Sequence, residues 1–263
     1  MDALESAEVI GPGDRASGPS EGYRPCATNH SATRRLPFTV RIARSEAELR
    51  KAVYIRHRAY ARHLPALAEL LKVPEPYDED PGSVVLIAES KLDGAPLGTM
   101  RIQTNRYRPL AIEQSVELPD WLQDRGLAEA TRLGIAEGRI GSVVKTMLFK
   151  ALFRYCVQTG VDWMVIGARA PLDRQYAALL FEDVFEKDAF VPLRHAGNIP
   201  HRVLAFDIET AEARWIAARH PLYDLFCNTH HPDIIDLHEG AAQFGTLARR
   251  NIRASLTWDK SGG

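Results

Sequence analysis

The chain has 263 residues, 45% hydrophobic and 25% charged, with a formal net charge of -1 at pH 7. That length holds one large domain, or a domain with an appendage, of ordinary globular composition. A charge near zero gives no overall pull toward nucleic acid or an anionic membrane, and no apolar run approaches the roughly 18 residues of a membrane span. Cys26, Cys156 and Cys227 are far apart and make no CxxC pair, so neither a disulfide framework nor a zinc site is expected, and Cys156 reads as core. The N-terminus has no basic-then-apolar signal, and a reducing cytoplasm is the expected location.

Residues 1–36 are rich in Gly, Pro, Ser and charge without hydrophobic periodicity, and predict a disordered leader. FTVRIA, from Phe38, has strand composition. Ser45 and Glu48 make a capping box that starts a helix, in which Leu49, Val53, Arg56 and Tyr60 share one face. Arg56 thus lies on the buried stripe and needs a carboxylate or a ligand anion. Residues 62–80 read as irregular and turn acidic at Glu75, Asp78, Glu79 and Asp80, broken by Pro74, Pro76 and Pro81. Two strands follow, 83–90 and 96–105, joined by a hairpin turn at Asp93-Gly94. A Pro-containing loop from Tyr107 to Trp121 leads to the strand LAEATRLGIA, which begins at Leu127.

A helix over 142–158 is predicted by the stripe Val144, Met147, Leu148, Ala151, Leu152 and Tyr155, and Gly160 ends it. VDWMVIGAR (161–169) is a buried strand, Pro171 opens a helix carrying Leu172, Tyr176, Leu179 and Leu180, and HRVLAFDIE (201–209) is the last strand. The tail predicts further helices with Trp215, Leu222, Leu225 and Phe226. The order gives an α/β fold with a mixed sheet over 37–210, preceded by the leader and followed by a helical C-terminal extension over 211–263.

Glu129 sits on an apolar strand, where a carboxylate is expensive unless it is paired or has chemistry to do. It reads either as a base for an attacking amine or as a packing partner for an arginine. Strict alternation places Glu129 with Thr131 and Leu133, and Arg132 on the other face with Ala130 and Gly134, so the two share a site only across a bulge. Arg101 is either a cleft residue or a solvated one, and the acidic loop is either part of a site or a surface run. On the second long helix Lys145, Lys150 and Arg154 occur with no acidic residue between Gly141 and Gly160, and Arg139 stands before it. They form a docking patch or a solvated face. Met147, Phe149, Phe153, Trp163 and Met164 line an apolar slot or are core. His230, His231, Asp233, Asp236 and His238 lack a metal-ligand spacing, and no metal is expected. AEGRIGS lacks the G-K-[ST] of a P-loop.

Four segments in this order, YIRHRAY, YDEDPGSVVLIAE, LGTMRIQ and EATRLGIAEGR, resemble the GNAT acyltransferase superfamily. The closer likeness is to its carrier-protein-using branch, the acyl-homoserine-lactone (autoinducer) synthases and the N-acyl amino acid synthases. The resemblance implies a mixed central sheet flanked by helices and an N-acyltransferase that moves a long acyl group from acyl-carrier-protein thioester to the α-amine of an amino acid. It implies Glu129 and Arg132 as the catalytic pair, Arg56, Tyr60, Asp78, Asp80 and Arg101 as substrate-binding residues, and a bulge on the Glu129 strand. Arg139, Lys145, Lys150 and Arg154 would dock the acyl carrier protein. It implies no tightly bound cofactor; acyl-phosphopantetheine on the carrier, or acyl-CoA, is the donor. Gly138 and Gly141 lack the spacing of the usual CoA pyrophosphate loop, and Phe181 stands where many acetyltransferases have an acidic tyrosine. Both departures, the second being the loss of a general-acid tyrosine, weaken an acetyl-CoA reading and favour the carrier protein, and the C-terminal extension favours the amino acid synthases. A lactone synthase, an acetyl-CoA-dependent acetyltransferase and a non-catalytic acyl-binding module are the alternatives.

Overall fold

The computed structural model describes residues 32–235 and Leu237. Most of the expected leader and much of the tail, with Cys26, Asp236 and His238, lie outside these residues. In chain order the elements are β1 (Ala32–Thr33), β2 (Phe38–Ile42), α1 (Glu46–Ala61), α2 (Pro65–Leu70), β3 (Ser83–Ser90), β4 (Pro96–Thr104), β5 (Leu127–Ile135) and α3 (Gly141–Thr159). There follow β6 (Trp163–Ala168), α4 (Leu172–Ala178), β7 (Glu182–Asp183), β8 (Phe190–Leu193), β9 (Ile199–Asp207), α5 (Ala211–Ala217) and β10 (Thr229–His230).

The main sheet runs β2-β3-β4-β5-β6-β9-β7, with β8 also on β9. Every pair in it is antiparallel except β5–β6. That parallel pair holds register only over Leu127↔Trp163, Ala128↔Met164 and Glu129↔Val165, although both strands run further. The sheet therefore parts just past Glu129. On one face Met100, Ile102 and Ala128 pack against Val144, Leu148 and Leu152 of α3 in the main core, which also takes in Trp215 and Phe226. Trp215, Phe226, Ile234 and Leu237 are thus part of the core, so the described piece of the tail is built into the domain.

The opposite face is divided. Ala52 of α1 covers Val85 and Ile87 at one end, and Leu110, Ile112 and Leu193 cover Val165 and Val203 at the other. Between these apolar patches β4 and β5 present Arg101, Gln103, Glu129 and Thr131, all buried.

Local chemistry explains the frame. Ser45 caps α1 by accepting the Glu48 amide at 3.3 Å while Glu48 accepts the Ser45 amide at 3.0 Å. Gly160 closes α3 in the left-handed conformation, φ +68°, and donates its amide to Cys156. Ala32 and Thr33, expected within the leader, instead form a strand because β10 supplies a parallel edge, Ala32↔Thr229 and Thr33↔His230. The stretch expected to be irregular contains α2, opened by Pro65 at its first turn. β7 and β8 are too short, and β8 too interrupted by Pro192, to show alternation.

Candidate active site

β5 is bulged. Arg101 pairs with Thr131 and Thr99 with Gly134, so Arg132 and Leu133 together stand opposite Met100. Arg132 adopts φ +56°, left-handed backbone that a non-glycine residue holds only when its surroundings over-determine it. The extra residue turns Arg132 onto the face of Glu129 and Thr131. Past the bulge α1 crosses so closely that a Cβ at Gly134 would lie 3.0 Å from the Arg56 Cα. A glycine there lets the helix bring Arg56 down onto the strand.

Three guanidiniums converge on two carboxylates. Arg56, fully buried, donates bidentately to Asp78 at 2.8 and 2.8 Å and to Glu75 at 3.2 Å. Arg132 donates bidentately to Glu75 at 2.6 and 2.6 Å, and to the His195 carbonyl at 2.9 Å. Arg101 donates to Thr131 Oγ1 at 3.1 Å, Glu75 at 3.1 Å and Asp78 at 3.3 Å. Burial works against both carboxylates, yet Arg132 holds Glu75, and Arg56 holds Asp78, below the usual carboxylate range. Burial pulls the Arg101 guanidinium down, only partly offset by Glu75. Three positive groups against two negative ones leave one positive charge in excess. Arg101 Nη2 and Arg56 Nε are buried without a hydrogen-bond partner, so the cluster retains donors for an anion.

Glu129 is fully buried. Its Oε2 accepts the Ile112 amide at 3.0 Å, and Oε1 has no hydrogen bond. Burial pushes its carboxyl up to about 7, against the pull of the Ile112 amide and of Arg101 and Arg132. A carboxyl tuned near neutrality beside surplus positive charge is suited to take a proton from an ammonium.

Of the residues singled out from sequence, Arg56, Asp78, Arg101 and Arg132 come together, with Glu129 beside them on β5. Tyr60 is half-buried, and its field contributes to raising both the Arg132 guanidinium and the Tyr176 hydroxyl. Arg101 is not solvated; α1 and the acidic loop cover it. Asp80 does not join the cluster, because its Oδ1 turns back to the Gly82 amide at 2.7 Å and its Oδ2 pairs with Arg108. Glu75 takes that place. Its proline-flanked position gave no period or face from which to choose it among the four acids. His195, in the turn after β8, was also missed; its Nε2 lies 3.3 Å from Glu129 Oε1.

The basic patch needs one correction. Lys150 is 2% exposed and donates to the carbonyls of Leu225, at 2.5 Å, and Thr229, with His231 Nδ1 at 3.0 Å. The tail covers this helix face, so Lys150 cannot dock anything. Arg139 is exposed, Lys145 is half-buried and bound to Gln175, and Arg154 is half-buried. Among the expected slot residues, Met147, Phe153 and Met164 are main core and Trp163 stacks edge-on with Trp121 at 5.0 Å. Only Phe149 faces the cleft of about 430 Å³ that opens between α3, α4 and residues 220–226. Phe149, Leu172, Tyr176, Leu179, Leu222 and Phe226 give it apolar walls. Glu129 and the arginines do not line it. Phe181 is core, stacked on Phe206 at 4.9 Å. Among the described residues no group of three or more His, Cys, Asp or Glu is placed to hold a metal ion, and no helix is long and apolar enough to cross a membrane.

A sheet that parts beside a bulged strand, with a buried carboxylate at the fork, is a GNAT-like fold. Residues 47–196 match the family described as N-acyl amino acid synthase FeeM, and the chain belongs to that family. Among solved structures, FeeM, an N-acyl amino acid synthase from uncultured soil microbes, superposes with a TM-score of 0.57 at 19% identity, covering 69% of this chain and 96% of that one. BjaI, a CoA-dependent acyl-homoserine lactone synthase solved with SAM and isopentyl-CoA, gives 0.51 at 14% identity, covering 78% and 98%. At these identities the likeness is one of fold. No protein of curated function matches the sequence.

Proposed function

We propose that this acyltransferase moves a long acyl group from an acyl-carrier-protein thioester to the α-amine of an amino acid, giving an N-acyl amino acid. The observation that carries this reading is the juxtaposition of Glu129 with an arginine cluster one charge in excess. The two halves recognise the two halves of an amino acid. A guanidinium with a free donor holds the acceptor carboxylate. Glu129 takes the ammonium proton, so that the nitrogen lone pair can attack the thioester carbon; as the C–N bond forms and the C–S bond breaks, the nitrogen loses its second proton and the leaving thiolate gains one. Backbone amides past the bulge, where β5 has left β6, are suited to hold the carbonyl oxygen as charge develops on it.

The apolar cleft between α3 and α4 suits the acyl chain, each buried CH₂ contributing up to about 0.8 kcal/mol. Lys145, which lines the cleft, and the exposed Arg139 ahead of α3 suit an acidic carrier; acyl-CoA is the alternative donor. The test is mass spectrometry of lipid extracts from cells overexpressing the chain. A new N-acyl amino acid supports the reading and identifies donor and acceptor together. An acyl lactone, or no product while the protein still binds an acyl ligand, overturns it.

A further inference from the structure

We propose that His195, carrying its proton on Nε2, donates to Glu129 Oε1 and so keeps the buried carboxylate ionised for its work as the base. The inference rests on the reading of Glu129 as the base and adds a residue to it. Glu129 has two oxygens in a site closed to solvent, and the protein satisfies only one of them, through the Ile112 amide. The other faces Nε2 of His195 at 3.3 Å, short of an aligned hydrogen bond. Contacts of this kind tighten when substrate closes the site.

The ring itself indicates its tautomer. Nδ1 is buried and has no partner. A buried orphaned N–H is rarer in proteins than an unsatisfied acceptor, so Nδ1 is the bare nitrogen and Nε2 bears the hydrogen. Burial, then the charges of Arg132, His201 and Arg101, keep the ring neutral by drawing it down to about 4. The groups acting on the pair are therefore Arg101 from β4, Arg132 from β5, His201 from β9 and the backbone of Ala111, whose amide favours the ionised carboxylate and whose carbonyl favours a proton on the ring.

The ring is also held from outside the pair. Leu193 and Ala196 on either side of it are in the apolar cluster with Ile112 and Val165, its own carbonyl accepts from Arg132, and the neighbouring Arg194 amide donates to Ser115 at 2.8 Å. The loop that supplies the Ile112 amide and the turn that supplies His195 thus close on Glu129 together. His195 is a positioning residue; it acts on the acceptor only through Glu129. In the step itself an N–H bond of the ammonium breaks, its electron pair stays on nitrogen, an O–H bond forms on Glu129, and the imidazole keeps its own proton.

The test compares kcat/KM against pH for the wild type, His195→Phe, His195→Gln and Glu129→Gln, with ¹⁵N-histidine NMR of the wild type. Loss of a donor to the carboxylate should move the acidic limb of the His195→Phe profile up by about one pH unit, roughly tenfold in activity on that limb. The amide of Gln should restore much of it, and the NMR should show His195 neutral and protonated at Nε2. A limb that stays put or moves down, or a ring protonated at Nδ1, overturns the proposal; the NMR decides even if His195→Phe does not fold. Full activity in Glu129→Gln would instead remove the base reading itself.

Discussion

Replacing Glu129 by Gln keeps the shape and the Ile112 hydrogen bond but removes a proton-binding group, which makes stability against pH a direct readout of its environment. In the folded chain the carboxyl sits at about 7, against its usual 4.5. Between those values the native state binds a proton that the unfolded state does not, so this group's contribution falls as pH rises through the window. That gap corresponds to about 3 kcal/mol, most of it lost between pH 5 and pH 8. The Gln variant carries no such term. Denaturant unfolding at both pH values should show Glu129→Gln gaining about 2–3 kcal/mol relative to the wild type on going from pH 5 to pH 8. His195 contributes stability that is lost as pH falls below about 6.5, opposite in sign to the Glu129 effect. An equal difference between the two proteins at both pH values would mean that the carboxyl is not raised, and that burial does not tune it as described.

Five further variants separate the structure from simpler readings. Asp78→Asn leaves Arg56 buried without its bidentate partner and should cost about 3–5 kcal/mol in denaturant unfolding. Asp80→Asn keeps the acceptor for the Gly82 amide and loses only the charge facing Arg108, which is 40% exposed, so it should cost less, about 1–2 kcal/mol. Gly134→Ala places a methyl against the α1 backbone and should lower stability by about 1–3 kcal/mol; a neutral result would mean that α1 does not cross β5 so closely. Lys150→Met strips donors from the Leu225 and Thr229 carbonyls and should destabilise by about 1–3 kcal/mol without changing KM for a carrier-protein donor. Arg139→Glu should raise that KM and leave stability within about 0.5 kcal/mol.

What could be read from the chain was what local chemistry decides. The Ser45 cap, the Asp93-Gly94 hairpin and the Gly160 stop each depend on a few neighbouring residues, and α1, β3, β4 and α3 lie within one or two residues of their expected limits. Arg56 could be recognised as inward-facing because helical period assigns a face. The bulge at Arg132 could not be derived from alternation, which sends Glu129 and Arg132 apart; only the family resemblance implied it, and the left-handed Arg132 supplies it. Glu75, Asp80 and His195 lie in turns without a period, where the partner is chosen by packing across the chain. Arg132 reaches Glu75 across 57 positions of sequence. Lys150 was misjudged for a related reason. A cation on a helix reads as solvated until some distant segment covers it, and here that segment begins 75 positions later at Leu225.

The most direct measurement is kcat/KM against pH for amide formation by the purified chain, with an acyl donor and an amino acid acceptor. Activity should rise through an acidic limb near pH 7 in the wild type and fall at least about tenfold in Glu129→Gln. Wild-type rates from the Gln variant, or a profile flat from pH 5 to pH 8, would contradict Glu129 as the base.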